Sequence, residues 1–290
     1  MVGGCGAIRA GSTRIARGRA RVVREVRAAA PLMAALRAPV PAQGPWLTAV
    51  LNEGAAHRFR GRPVAVVVEP DAQGRPEAVA FLRVRRRGVL TEVTLLGDGV
   101  PPVPGGRPPR RLLARDPQAA VLLADGICGL LGSLRGPWTL RLTGLPMGDP
   151  TARELAARLP TALIRTLRST ALVDELGPAG AVVRSRDPRT LDAWLPGLLA
   201  RAAPAERGFL RAAARLHAAV GQVELGVVPD GQRPRAALLT LVDGADRWPW
   251  WGFDGTGALR TELGSPVVEL AVPARGWPPL PGVSRRSGGR

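Results

Sequence analysis

Apolar residues along this chain fall into short runs bounded by turn residues, which predict strands, and a spacing of three to four, which predicts helices. Trp46, Leu47, Val50 and Leu51 share one helical face, which places a helix over residues 46–53. Two apolar strands follow, residues 63–69 and 77–84, joined by Pro70-Asp71-Ala72-Gln73-Gly74, a turn of hairpin chemistry. Arg85-Arg86-Arg87-Gly88 then turns the chain into a third strand, residues 89–96, completing a three-stranded meander. The Arg run reads as a solvated turn that keeps a sheet edge soluble.

Three Asp-Pro pairs come next. Asp116-Pro117, Asp149-Pro150 and Asp187-Pro188 each set an N-cap before a proline at the first helical position. They predict helices running to about Leu134, Leu159 and Ala200. Strands are expected at 138–142 and 181–184, and residues 161–176 favour a strand at their start. A further helix, residues 206–220, carries Phe209, Leu210, Ala213, Leu216 and Val220 on one side. It leads into residues 222–277, which hold a strand, a Pro-Asp-Gly turn, a second strand and the densest aromatic cluster of the chain. Past a glycine-containing turn, Ser265-Pro266 is expected to open a short helix.

The two hairpins resemble each other. Residues 66–84 read VVVEPDAQGRPEAVAFLRV and residues 226–242 read GVVPDGQRPRAALLTLV. Each follows a helix and precedes a third strand, so the chain is expected to hold an internal duplication, with a boundary near Leu176-Gly177-Pro178. Residues 38–176 form one expected half and 177–280 the other, the latter shortened. Residues 1–37 are expected to be a disordered arm, with residues 1–32 adding nothing to the fold and Met33 as a candidate start. Residues 281–290 are an expected basic tail.

Composition changes this picture little. The chain has 290 residues, 46% of them hydrophobic, enough for a real core. The formal charge of +18 comes entirely from Arg, in a chain without Lys or Tyr but with 36 Gly and 29 Pro. That bias is the mark of GC-rich coding. Residues 1–37 hold eight Arg against the single acid Glu25. Such Arg-rich ends allow non-specific binding to nucleic acid. Cys5 and Cys128 form no disulfide framework, and neither His57 nor His217, both expected near the surface, has metal-ligand spacing around it. No apolar run reaches the roughly 18–20 residues of a membrane span, and no signal peptide is legible, so the expected compartment is the cytoplasm.

The order helix, strand, turn, strand, third strand and "S-P" step resembles the GNAT acyltransferase fold, and more narrowly the double-GNAT proteins of the FemAB and CelD-like group. The matching residues are Asp230-Gly231, Ala236-Ala237-Leu238-Leu239, Phe253-Asp254, Ser265-Pro266 and the opening Pro45-Trp46-Leu47. The resemblance spans about residues 45–277 and implies an α/β (α+β) chain of two GNAT-like halves, each a mixed sheet flanked by helices. It implies an N-acyltransferase that takes acetyl-CoA or a related donor, aminoacyl-tRNA included, to a small-molecule or peptide amine. The arginine- and glycine-rich loop by which GNAT domains hold the donor's pyrophosphate is absent. So is the tyrosine that many of them use as general acid.

Carried onto this sequence, the donor would sit at Gly264, Ser265 and Val267, at the N-terminus of the expected helix. An unliganded N-cap is the plainer reading of the same residues. Glu224, in an otherwise apolar strand where burial could raise its pKa, and Asp254, at the end of the third strand, are the candidate bases. Trp248 and Trp250, on one side of a strand with Trp251 on the other, are candidate substrate contacts or core residues. No metal is expected. A non-catalytic GNAT-like binding module is the alternative, and an Arg-mediated nucleic-acid binder a third.

Overall fold

The computed structural model describes residues 12–56, 61–70, 75–99, 108–255, 257 and 259–274. Cys5, His57, the hairpin residues 71–74 and the tail 281–290 lie outside them.

Strand β1 (Ser12–Arg17) runs antiparallel to β2 (Arg62–Glu69), and between them the chain forms α1 (Arg19–Ala28), α2 (Ala30–Ala35) and α3 (Gly44–Ala56). The expected disordered arm is therefore ordered from Ser12 onward. Its own apolar residues explain why: Val22, Val26, Leu32 and Met33 are buried. Arg14 spends its charge on Glu25 and Glu69, both at 2.7 Å, and Arg19 donates to Asn52. Basic side chains read as free for nucleic acid are thus partly engaged within the fold.

The meander follows as expected, β2, β3 (Ala78–Arg87) and β4 (Leu90–Leu95), with the Arg run at the end of β3 rather than in a turn. A two-residue strand β5 (Leu113–Ala114) joins the start of β3. Helix α4 (Pro117–Gly132) then crosses to β6 (Trp138–Pro146), which lies parallel to β4. The Asp-Pro device works as read: Asp116 accepts from the Ala119 amide at 2.8 Å. Asp149 does the same for Ala152 at the start of α5 (Pro150–Arg158). Gly126 lets α4 lie close on the sheet, since a Cβ there would stand 2.4 Å from Thr13 and 2.7 Å from Val66.

After β7 (Leu163–Leu172) the chain leaves this sheet near the expected boundary. It builds β8 (Val183–Ser185), α6 (Pro188–Arg201), α7 (Arg207–Ala218), β9 (Val223–Asp230), β10 (Arg233–Asp243) and β11 (Asp246–Phe253). These four strands make a second sheet, order β11-β10-β9-β8, antiparallel throughout. The last strand, β12 (Thr261–Val272), returns to the first sheet and slots between β6 and β7. The first sheet has eight strands, β1-β2-β3-β4-β6-β12-β7 with β5 beside β3.

The architecture is α/β, a large mixed sheet flanked by helices. Its repeat is larger than the hairpin legible in the sequence: strand, helices, then a three-stranded meander recurs as residues 12–95 and 183–253. The second copy departs from expectation in two ways. Its sheet is antiparallel rather than mixed, and it is nested between two strands of the first sheet instead of following a finished half.

One core binds the two copies. On β2 and β3, Ala65, Val67, Val79 and Phe81 face the same cluster as Leu225, Val227, Leu239 and Leu241 of the second sheet, with α1, α3, α6 and α7 between. The other face of the large sheet packs on α4 and α5 through Val66, Leu82, Leu123, Ile127 and Leu142. A third, small cluster under Leu172, Leu176 and Leu259 covers the outer face of the second sheet.

Candidate functional site

The residues singled out from the sequence do not meet at one place. Glu224 lies on β9 with its side chain on the face opposite Val223 and Leu225, away from the helices. It accepts from Arg247 at 2.6 and 3.1 Å, and from Arg184 and Arg186 at 3.3 Å each. Burial alone would raise its pKa, as the sequence reading supposed. The Arg247 guanidinium outweighs burial and, with Arg186 and Arg184, pulls the carboxyl down to about 2. Glu224 is thus a permanently ionised clamp at neutral pH and a poor proton acceptor. Asp254 sits in a turn after β11, its Oδ1 accepting from the Gly257 amide at 2.8 Å.

The expected helix at Ser265-Pro266 is not formed. Gly264, Ser265 and Val267 belong to β12, whose ladder with β7 slips between Leu263 and Pro266, where proline offers no N–H. Ser169 Oγ donates to the Ser265 carbonyl and Arg168 Nε to that of Gly264, both at 3.0 Å. Val267 is buried and pairs with Pro146 on one side and Leu167 on the other. These residues present no helix N-terminus to an anion. Val268, Leu270 and Val272 at a period of two were the strand signal.

Trp248 and Trp250 are core residues at the junction of the repeats. A bulge opposite Leu239 and Thr240 resets the alternation of β11, so Trp248, Trp250, Trp251 and Phe253 all join the helix-side core. Trp46 stands at the centre, edge-on to Phe209 at 5.1 Å and to Trp250 at 5.5 Å, with Trp248 at 5.7 Å. His217, expected at the surface, is fully buried 6.2 Å from Trp46. Burial holds its pKa down at about 4. Its Nδ1 shares a hydrogen bond with Gln222 Oε1, and Gln222 in turn donates to Gln43.

The arrangement with chemical capacity lies elsewhere, at the carboxyl ends of the parallel pair. Pairing of β4 with β6 stops at Thr94 opposite Arg141, yet β6 runs on to Pro146. Beyond that point the edge of β6 is met by Arg110, whose amide donates to the Gly144 carbonyl at 2.7 Å. The Arg110 guanidinium is buried and donates to the carbonyls of Leu96 and Gly97 at 3.0 and 2.9 Å. A Cβ at Gly97 would stand 3.1 Å from Val50, 3.5 Å from Arg110 Nη1 and 3.7 Å from Trp46 Nε1, so the chain beyond β4 packs closely against the aromatic junction. Asp98 closes the end of β4, accepting from Arg141 at 3.4 Å and Thr143 at 3.5 Å.

Three residues stand in a row across the gap between β4 and β6. Arg83 on β3 is opposite Thr94 on β4, and Thr94 is opposite Arg141 on β6, so all three share one face of the sheet. Thr94 Oγ1 and Arg83 Nε are buried without a hydrogen-bond partner. Desolvation pulls the Arg83 guanidinium below its usual pKa, against the more distant attraction of Asp98 and Glu92. Sequence reasoning missed this site because its members are scattered from 83 to 143 and none belongs to a motif. A shallow groove at the opposite end of β6, lined by Pro137, Trp138, Leu159, Pro160, Val272 and Pro273, carries no ionisable side chain. No three His, Cys, Asp or Glu among the described residues are grouped to hold a metal ion. No described helix is long and apolar enough to cross a membrane.

No family model matches the sequence, and no curated protein does. Among solved structures the chain is similar to a GCN5-related N-acetyltransferase from Sphaerobacter thermophilus, at 13% identity and a TM-score of 0.29, over 90% of this chain and 95% of that one. It is also similar to a tandem GNAT protein from the clavulanic acid biosynthesis pathway, solved without AcCoA, at 15% identity and a TM-score of 0.32, over 81% of this chain and 76% of that one. Likeness at these scores leaves the architecture to rest on the strand order itself.

Proposed function

We propose that this chain is an N-acyltransferase of GNAT type that moves an acyl group from acetyl-CoA or a related donor to an amine. The observation that supports it is the parallel pair β4·β6, bridged by α4, whose pairing ends while β6 continues. Ligands of α/β sheets gather outside the carboxyl ends of parallel strands, where the chain diverges.

In this reading the amine nitrogen attacks the donor's thioester carbonyl, the C–N bond forms and the C–S bond breaks. The proton lost by the amine passes to Asp98, held at the mouth of the gap by Arg141 and Thr143, and then to the departing thiolate. Arg110 presents a fixed positive charge beside the reacting carbonyl. The donor then sits at the gap between β4 and β6 rather than on β12, and Asp98 rather than Glu224 is the base.

A specific observation favours the second reading, a non-catalytic module on the same scaffold. The N-terminus of α4, where backbone amides would hold an anion, is already occupied by the Asp116 carboxylate. CoA and acetyl-CoA at millimolar concentration separate the two. The acyltransferase gains several degrees of thermal stability with them, and Asp98→Asn keeps that gain while losing acyl transfer to a panel of amines. An unchanged melting temperature with both compounds leaves the binding-module reading in place.

A further inference from the structure

The row Arg83–Thr94–Arg141 has unused bonding capacity. Adjacent strands lie about 4.8 Å apart, so the two Arg Cα atoms are roughly 10 Å apart with Thr94 midway. Two long guanidinium side chains can close on one small group across that span. Thr94 is 1% exposed, and its hydroxyl finds no partner, an unusual state for a buried polar atom. Arg83 leaves Nε unpaired beside it. Arg141, half exposed, is held among the described residues only by the long contact to Asp98. Arg110 adds a third cation, itself attracted by Asp98 and repelled by Arg83. Among the described residues the three guanidiniums have Asp98 as their shared carboxylate, and Glu92 also attracts Arg83. The next row along the same face, Arg85 opposite Glu92, is balanced no further towards the acid, since Glu92 pairs with Arg87 at 3.1 Å.

We propose that this row is a binding site for an oxyanion, the carboxylate or phosphate group of the acceptor amine. Arg83 and Arg141 donate to it from either side, and the Thr94 hydroxyl donates from below. The anion competes with Asp98 for Arg141 and frees that carboxylate to face the amine. The acceptor class is accordingly an amine that carries its own acidic group a few bonds from the nitrogen. The oxyanion site stands independently of acyl transfer. Only the naming of its occupant as acceptor rests on that reading.

The test is calorimetric titration of the full chain with sodium succinate and sodium phosphate, at constant ionic strength and neutral pH. One of the two is expected to bind saturably at one site, with Arg83→Gln and Arg141→Gln each weakening it tenfold or more. Asp98→Asn is expected to tighten it several-fold by releasing Arg141. Arg215→Gln, which breaks an exposed pair with Asp192 on α6 and α7, should leave it unchanged. Because Arg141 is half exposed, its variant folds and decides the matter even if the Arg83 variant does not. Absence of saturable binding by both probes, or binding indifferent to Arg141→Gln, overturns the site. A further titration with adenosine 3′,5′-bisphosphate identifies the source of the anion. If it displaces the probe from the row, the row holds donor phosphate and the acceptor assignment falls. Failure of the acyl-transfer reading shows differently, as anion binding that persists while CoA leaves the melting temperature unmoved.

Discussion

Residues 12–95 and 183–253 are built to one plan and put to different ends. In each, an edge strand leads through helices into a meander, and the meander's inner face packs on those helices. In the first, the chain leaves β4, crosses over α4 and returns parallel as β6. In the second, it leaves β11 without a crossover and goes home to the first sheet as β12. A parallel neighbour needs a crossover connection, and the crossover is what parts the strand ends and opens a site. The second copy has an antiparallel sheet with no such gap. Its carboxylate, Glu224, is locked by arginines, whereas Asp98, in the turn just past the first copy's last strand, stands beside a gap with weak contacts. In the acyltransferase reading proposed above, the first copy carries the chemistry and the second supports it.

If the copies are truly one folding unit, the junction is where they break together. Trp46 of the first meets Phe209 of the second at equivalent helical positions, each followed by leucine. Trp46→Ala removes the central ring of that cluster and should cost about 4 kcal/mol, read by chemical denaturation. The transition should stay single. Two separate transitions would mean that the copies fold independently and the comparison is only one of shape.

Acid tests the same junction from the second copy. His217 keeps its pKa near 4 when folded against 6.5 as its ordinary value. Between those values the unfolded chain binds a proton that the folded chain refuses. Stability is therefore full above pH 6.5 and falls as pH drops towards 4, by about 3 kcal/mol. His217→Gln should flatten that window. The depressed pKa of Glu224, about 2 against 4.5, makes its own contribution full above pH 4.5 and lost only below it, as pH falls towards 2. An unaltered profile in the His217 variant would show that the imidazole is not held neutral by the junction.

The smallest expected effect lies in the element that one copy has and the other lacks. Asp116→Ala strips the cap from α4 and should lower stability by about 1 kcal/mol, without disturbing the junction. It also frees the helix N-terminus. A larger CoA-induced stabilisation in this variant than in the parent chain would show that the cap had excluded the donor, sharpening the contrast between the two copies.

Local chemistry made much of this protein legible in advance. The Asp-Pro pairs fixed the starts of α4, α5 and α6, because a carboxylate one residue before proline satisfies the free amides of a first turn whatever surrounds it. Continuous apolar runs bounded by turn residues located β2, β3, β9 and β10, and the matched hairpins pointed to the repeated element plan. The N-terminal arm was misread from its arginines, although Val22 and Val26 at helical spacing were there to be seen. Tertiary structure alone decided the rest. Ser265-Pro266 carries the local marks of a helix start, but a vacancy between β6 and β7 demanded a strand, and ladder hydrogen bonds on both sides outweigh one cap. Glu224 looked like a base raised by burial until three arginines distant in sequence closed on it. The row Arg83–Thr94–Arg141 exists only through strand register, which brings residues together by pairing rather than by spacing. Periodicity and caps act within a turn or two of chain and are written in it. Charge partners and strand neighbours depend on which segments meet, and only the folded chain sets that.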